Sequence, residues 1–120
     1  MEHLMIPPED PACLVKLRAL RDGLEILGGK WKLLIVQYLA NRQEQTNHFK
    51  KMQRELEGIS AKMLTKELRD LEVNKIVKRT VMDTRPVVVA YALTSYGRSV
   101  LPVADVLIAW GMNHRKEILG

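Results

Sequence analysis

The chain changes its hydrophobic period once and then changes back, and no other feature restricts its fold as tightly. Up to Val73 the apolar residues recur at helical spacing. From Ile76 to Leu93 they form two β-branched runs, and from Thr94 to Leu119 helical spacing returns. A first helix is expected over about Leu14 to Leu27, with Leu17, Leu20, Leu24 and Leu27 on one face, stopping at Gly28-Gly29. A second, Trp31 to Ala40, is apolar through Trp31, Leu34, Ile35, Tyr38 and Leu39. After the polar stretch Asn41 to Gln45, Thr46 is expected to cap a third helix whose Phe49, Met52 and Leu56 face inward. Glu57-Gly58-Ile59-Ser60 then supplies a glycine turn, an apolar anchor and an N-cap for a fourth helix, about Ala61 to Val73. Two short helices joined by a tight glycine turn are what a helix-turn-helix requires.

The runs Ile76 to Met82 and Val87 to Leu93 flank Asp83-Thr84-Arg85-Pro86 and read as a hairpin, with Pro86 in the turn or at a strand start. Thr94 is expected to cap the last helix, and Pro102 to kink or restart it. The fold class is therefore mainly α with a small β-hairpin, a winged helix-turn-helix. Its length of 120 residues fits one domain. Residues 1–12, with Pro7, Pro8 and Pro11, read as an N-terminal arm, and residues 13–120 as the single domain, ending in a dimerisation helix at about 94–119.

Composition excludes several function classes. The longest near-apolar run, Val100 to Met112, is broken by Pro102, Asp105 and Gly111 and falls short of the ~20 residues a bilayer span needs. Charged residues are scattered through the first thirty positions, so no signal-peptide core is expected. The one cysteine, Cys13, has no partner for an internal disulfide, which fits a reducing cytoplasm. His3, His48 and His114 lack metal-ligand spacing, and there is no phosphate-cradling glycine loop or nucleophile motif. No metal, cofactor or enzymatic activity is expected.

Charge points to nucleic acid. Between Thr46 and Arg85 lie ten basic and six acidic residues, so that third of the chain holds four of the five net positive charges. At about 100° per residue, with Leu64 at zero, Leu68 and Leu71 fall in one narrow stripe on the fourth helix. Lys62, Thr65, Lys66 and Arg69 share an arc from about 100° to about 200°, and Glu67 and Asp70 fall outside it. Such a face suits the major groove of double-stranded DNA, where Arg and Lys pair with guanine and Thr with a base edge or a thymine methyl. The helix start at Ser60 offers backbone N–H groups to a phosphate. Lys78, Arg79 and Arg85 make the hairpin basic, with Arg85 at its tip for a phosphate or the minor groove. Thr46, Asn47, His48 and Lys50 are candidates for backbone contact. The competing reading is a winged-helix module for protein–protein contact or non-specific nucleic-acid binding, which has no use for the basic arc.

The last helix argues for a homodimer. Leu101, Val103, Leu107, Ile108 and Trp110, with their apolar neighbours, cover almost its whole circumference, and a chain this short has no second layer to cover them.

The motifs also form a known pattern. Gly28-Gly29-Lys30-Trp31-Lys32-Leu33-Leu34-Ile35, Gly58-Ile59-Ser60-Ala61-Lys62-Met63-Leu64-Thr65, Leu68-Arg69-Asp70-Leu71-Glu72, Tyr91-Ala92-Leu93-Thr94-Ser95-Tyr96-Gly97 and Trp110-Gly111 stand in an order and spacing that resembles the HxlR-type transcriptional regulators from about Cys13 to Gly111. The resemblance implies a dimeric winged-helix repressor or activator on palindromic operators, without enzymatic activity. It also implies a possible small-molecule or oxidant effector, because some members sense quinones, aldehydes or thiol oxidants through a cysteine ahead of the first helix. Cys13 holds the matching position, with Lys16 and Arg18 nearby to favour a thiolate, while the residues alone favour a small packing side chain there. Two segments depart from the pattern. His48-Phe49-Lys50-Lys51-Met52 replaces the common Arg-Phe-x-Glu-Leu, and Asn74-Lys75 replaces the usual Asp-Gly turn, where Asn can take the left-handed conformation.

Overall fold

A computed structural model describes residues 10–120; of the arm expected at residues 1–12, residues 1–9 lie outside them. Five helices and a three-stranded sheet follow the order α1 (Pro11–Leu27), α2 (Lys32–Ala40), β1 (Asn47–His48), α3 (Phe49–Glu55), α4 (Ala61–Val73), β2 (Val77–Met82), β3 (Val88–Leu93) and α5 (Leu101–Leu119), with a 3-10 turn at Gly97–Val100 before α5. The first helix starts earlier than its leucine spacing indicates. Asp10 accepts the Ala12 N–H at 2.8 Å and Pro11 fills the first helical position, an arrangement that favours helix initiation. The expected arm therefore gives way to helix at Pro11.

The core gathers where α2, α3 and α4 meet the sheet. Ile35, Val36 and Leu39 of α2, Met52 of α3, and Leu64, Leu68 and Leu71 of α4 are all but fully buried, with Ile76 and Val77 closing the cluster from the strand side. Burial of each such side chain is worth about 1.5–3 kcal/mol, so the helix-turn-helix and the base of the wing form one stable unit. Helix α1 contributes no buried residue and α5 only Ala104.

The sheet order is β1-β3-β2, all antiparallel, with Asn47 opposite Tyr91 and Arg79 opposite Tyr91 on the other side. The third strand, β1, is not legible in the sequence because two residues carry no detectable period. Two further expectations change. Thr46 does not cap α3; His48 holds that place in extended backbone, without a side-chain cap. The left-handed residue of the α4–β2 turn is Lys75, with φ 63°, and not Asn74. Pro102 marks the restart expected of it: the segment after Thr94 runs as the 3-10 turn Gly97–Val100, and α5 begins at Leu101 with Pro102 in its first turn, where the missing N–H is an orphan anyway. Thr94 does cap, though what it caps is the 3-10 turn: its hydroxyl accepts the Gly97 N–H at 2.8 Å and donates to the Lys75 carbonyl at 2.6 Å.

Candidate nucleic-acid interface

Helix α4 is set up locally before it packs. Gly58 takes φ 89° in the turn, a conformation that costs other residues a steric clash. Ser60 then stays extended, and its hydroxyl accepts the Met63 N–H at 3.0 Å. With Leu64, Leu68 and Leu71 turned into the core, Ser60, Lys62, Thr65, Lys66 and Arg69 all stand exposed on the opposite side. The arc read from helical spacing is a real surface. Thr65 donates its hydroxyl to the Ala61 carbonyl at 2.8 Å, a bond that uses neither its methyl nor its oxygen lone pairs.

The cations of this face are not equivalent. Lys62 and Arg69 belong to no ion pair among the described residues, whereas Lys66 Nζ lies 2.9 Å from Asp70 Oδ2 and 3.7 Å from Glu67 Oε1. The Asp70 hydrogen bond raises the Lys66 pKa, and the same bond holds the Asp70 carboxyl below its ordinary range. Beneath them sits Lys32, the first residue of α2. Its side chain is only 9% exposed, and it donates to Glu67 Oε2 at 2.6 Å and lies 3.4 Å from Asp70 Oδ2. A buried lysine requires such partners. Helical spacing alone does not reveal this pair. A signal did exist: Glu67 falls only about 60° from the Leu64 stripe, close enough to the core to need a counter-charge.

A second polar lock joins α2 to α3. Tyr38 donates to Glu55 Oε1 at 2.6 Å, and the Arg42 guanidinium lies over the Tyr38 ring at 3.9 Å, with its Nε 3.7 Å from Glu55. Burial, then the Glu55 hydrogen bond, push the Tyr38 phenol up to about 12, and that bond holds Glu55 below its ordinary value.

The wing supplies exposed Lys78, Arg79 and Arg85. Lys78 pairs with Ala92 and Arg79 with Tyr91, and successive strand residues point to opposite faces, so these two cations cannot serve the same surface. Arg85 occupies the turn, where Thr84 donates to the Pro86 carbonyl at 2.8 Å. At the start of α3 the structure corrects one candidate. Asn47 is 2% exposed and its amide donates to the Arg42 and Gln45 carbonyls; it closes the α2–β1 turn and cannot reach a phosphate. Thr46 and His48 are exposed.

Away from this face, Val103, Leu107, Ile108 and Trp110 of α5 are roughly half exposed or more, while Leu101 packs against the chain's own core. Between α1 and α5 runs an apolar cleft of about 910 Å³, lined by Leu20, Leu24, Leu33, Val103, Leu107 and Trp110 among others. Cys13 is half-buried in the first turn of α1. No helix of the described residues is long and apolar enough to cross a membrane.

The model of the HxlR-like helix-turn-helix family matches residues 26–118. The chain belongs to that family. It is 39% identical over 97 residues to YtcD, an HTH-type transcriptional regulator of Bacillus subtilis, covering 81% of this chain and 75% of YtcD. The crystal structure of YtcD superposes with a TM-score of 0.73 at 37% identity, over 81% of this chain and 96% of that one. The redox regulator HypR in its reduced form gives 0.73 at 31% identity, over 84% and 96%. Reduced YodB from B. subtilis gives 0.66 at 34%, over 77% and 87%. This HxlR-family chain is thus a transcriptional regulator built on a winged helix-turn-helix, and it is not an enzyme.

Proposed function

We propose that the chain acts as a homodimer on a palindromic DNA operator, with α4 in the major groove and the β2–β3 wing near the adjacent minor groove. The observation that carries this reading is the outward face of α4, where Ser60, Lys62, Thr65, Lys66 and Arg69 are exposed together on a helix pinned from behind by three buried leucines. Arg69 and Lys62, free of carboxylates among the described residues, are the candidates for guanine O6 and N7, and Ser60 with the first turn for a phosphate. Arg79 and Arg85 contact the backbone from the wing, and Thr46 and His48 from the start of α3. The apolar surfaces of α1 and α5, through Val103, Leu107, Ile108 and Trp110, supply the dimer contact; exposed apolar area of this extent marks an interface. Selection from random duplexes at near-physiological salt tests the reading. It predicts enrichment of an inverted repeat; recovery without sequence preference would leave only a non-specific binder or a protein-docking module.

Cys13 is the place where an oxidant or electrophile acts on this dimer. Its support is its half-buried position in the first turn of α1 and the likeness to a protein solved as a redox regulator in oxidised and reduced forms. Operator release by diamide is expected in the native chain and not in Cys13→Ser; release unchanged by the substitution removes Cys13 from the mechanism.

A further inference from the structure

Lys32 and Lys66 share two carboxylates in a closed ring of charges. Lys32 donates to Glu67 Oε2 at 2.6 Å and lies 3.4 Å from Asp70 Oδ2; Lys66 takes that same Asp70 oxygen at 2.9 Å and faces the other Glu67 oxygen at 3.7 Å. Two cations and two anions sum to zero, yet the members differ in exposure. The Lys32 and Glu67 side chains are each 9% exposed, while Lys66 is 62% exposed on the face turned to solvent. If Lys66 leaves for a phosphate, the carboxylates it abandons are still held from beneath by Lys32. Without Lys32 the same departure would strand two anions, one of them buried, at a large desolvation cost.

We propose that Lys32 is a positioning residue for DNA binding: buried on α2 and out of reach of the duplex, it neutralises Glu67 and Asp70 so that Lys66 is released to a phosphate. This rests on the DNA-binding reading above. Its rival is that Lys32 only bolts α2 to α4. The two differ in what removing charge does. Lys32→Met leaves the ring one negative charge in excess, and Lys66 stays on its carboxylates. Adding Glu67→Gln restores neutrality without restoring the Lys32 bridge.

Affinity for a mixed-sequence duplex, measured across salt concentrations, separates them because a phosphate contact is independent of sequence. Lys32→Met is expected to bind about eight-fold more weakly at 0.1 M salt and to reduce the salt slope by about one, the contribution of a single phosphate contact. Lys32→Met with Glu67→Gln should return close to wild-type affinity, and Glu67→Gln alone should bind no more weakly than wild type. A bolt would give the opposite: all three variants weakened alike. If Lys32→Met fails to fold, Glu67→Gln alone decides, since weaker binding by that variant overturns the proposal. Wild-type protein that binds no duplex would sink the DNA reading itself. A wild type that binds while the double variant stays as weak as Lys32→Met would sink only the role of Lys32.

Discussion

Single side chains on the basic face carry different duties, and the ion pairs say which. Arg69 has no carboxylate partner among the described residues, so its guanidinium is available for a bidentate base contact. Arg69→Ala is expected to lose about 1–3 kcal/mol of specific binding and to relax discrimination at one base position. Lys66→Ala should instead weaken every sequence by a similar factor. Quantitative binding to a preferred duplex and its single-base variants reads both effects. Tyr38 and Glu55 give a pH signature away from the DNA. Glu55 titrates below its ordinary value in the folded chain, so its contribution to stability is present above the unfolded pKa of 4.5 and lost as pH falls through the lower folded value. Tyr38 is raised from 10.0 to about 12, so its share is present below pH 10 and lost as pH rises toward about 12. Tyr38→Phe should flatten the alkaline loss and reduce the acid one, as followed by urea unfolding across pH. The outward residues of α4 were legible in the sequence because helical spacing places them by geometry alone. Buried Lys32 and Asn47 were not, because a polar side chain enters a core only through partners distant in sequence.

Elements whose ends are fixed by local chemistry were read best. The span of α4 follows from Ser60 as cap and from the leucine stripe, and the structure gives Ala61–Val73. Ser60→Ala should destabilise the fold by about 1 kcal/mol through the lost cap. Elements fixed by long-range pairing were read poorly. Strand β1 is two residues held by register with β3, and its formation takes the first residues expected of α3. The α4–β2 turn shows the same limit. Its left-handed place falls on Lys75, where a side chain costs about 1 kcal/mol relative to glycine. Lys75→Gly is therefore expected to stabilise the chain by about that amount, seen as a raised thermal midpoint with DNA affinity unchanged.

At the scale of the molecule, the chain is extended. Its Cα radius of gyration is 17.7 Å, against about 14 Å for a compact domain of this length; α1 contributes no buried residue, and α5, anchored to the core by Leu101 and Ala104, leaves Leu107 and Trp110 uncovered. The all-round apolar pattern of α5 is legible in the sequence, and among the described residues no other element covers its outer face. A paired charge in that surface should separate the protomers: Leu107→Glu with Trp110→Glu is expected to sediment as a folded monomer and to lose operator binding. Retained dimerisation would place the interface elsewhere. In the proposed operator complex two copies of α4 read the major groove. Guanine N7 methylation interference on a selected duplex tests this most directly, because N7 lies on the major-groove edge. Two clusters of interfering guanines, centred about one helical turn apart, are the predicted result. Full binding to N7-methylated duplex, with sequence preference intact, would contradict it.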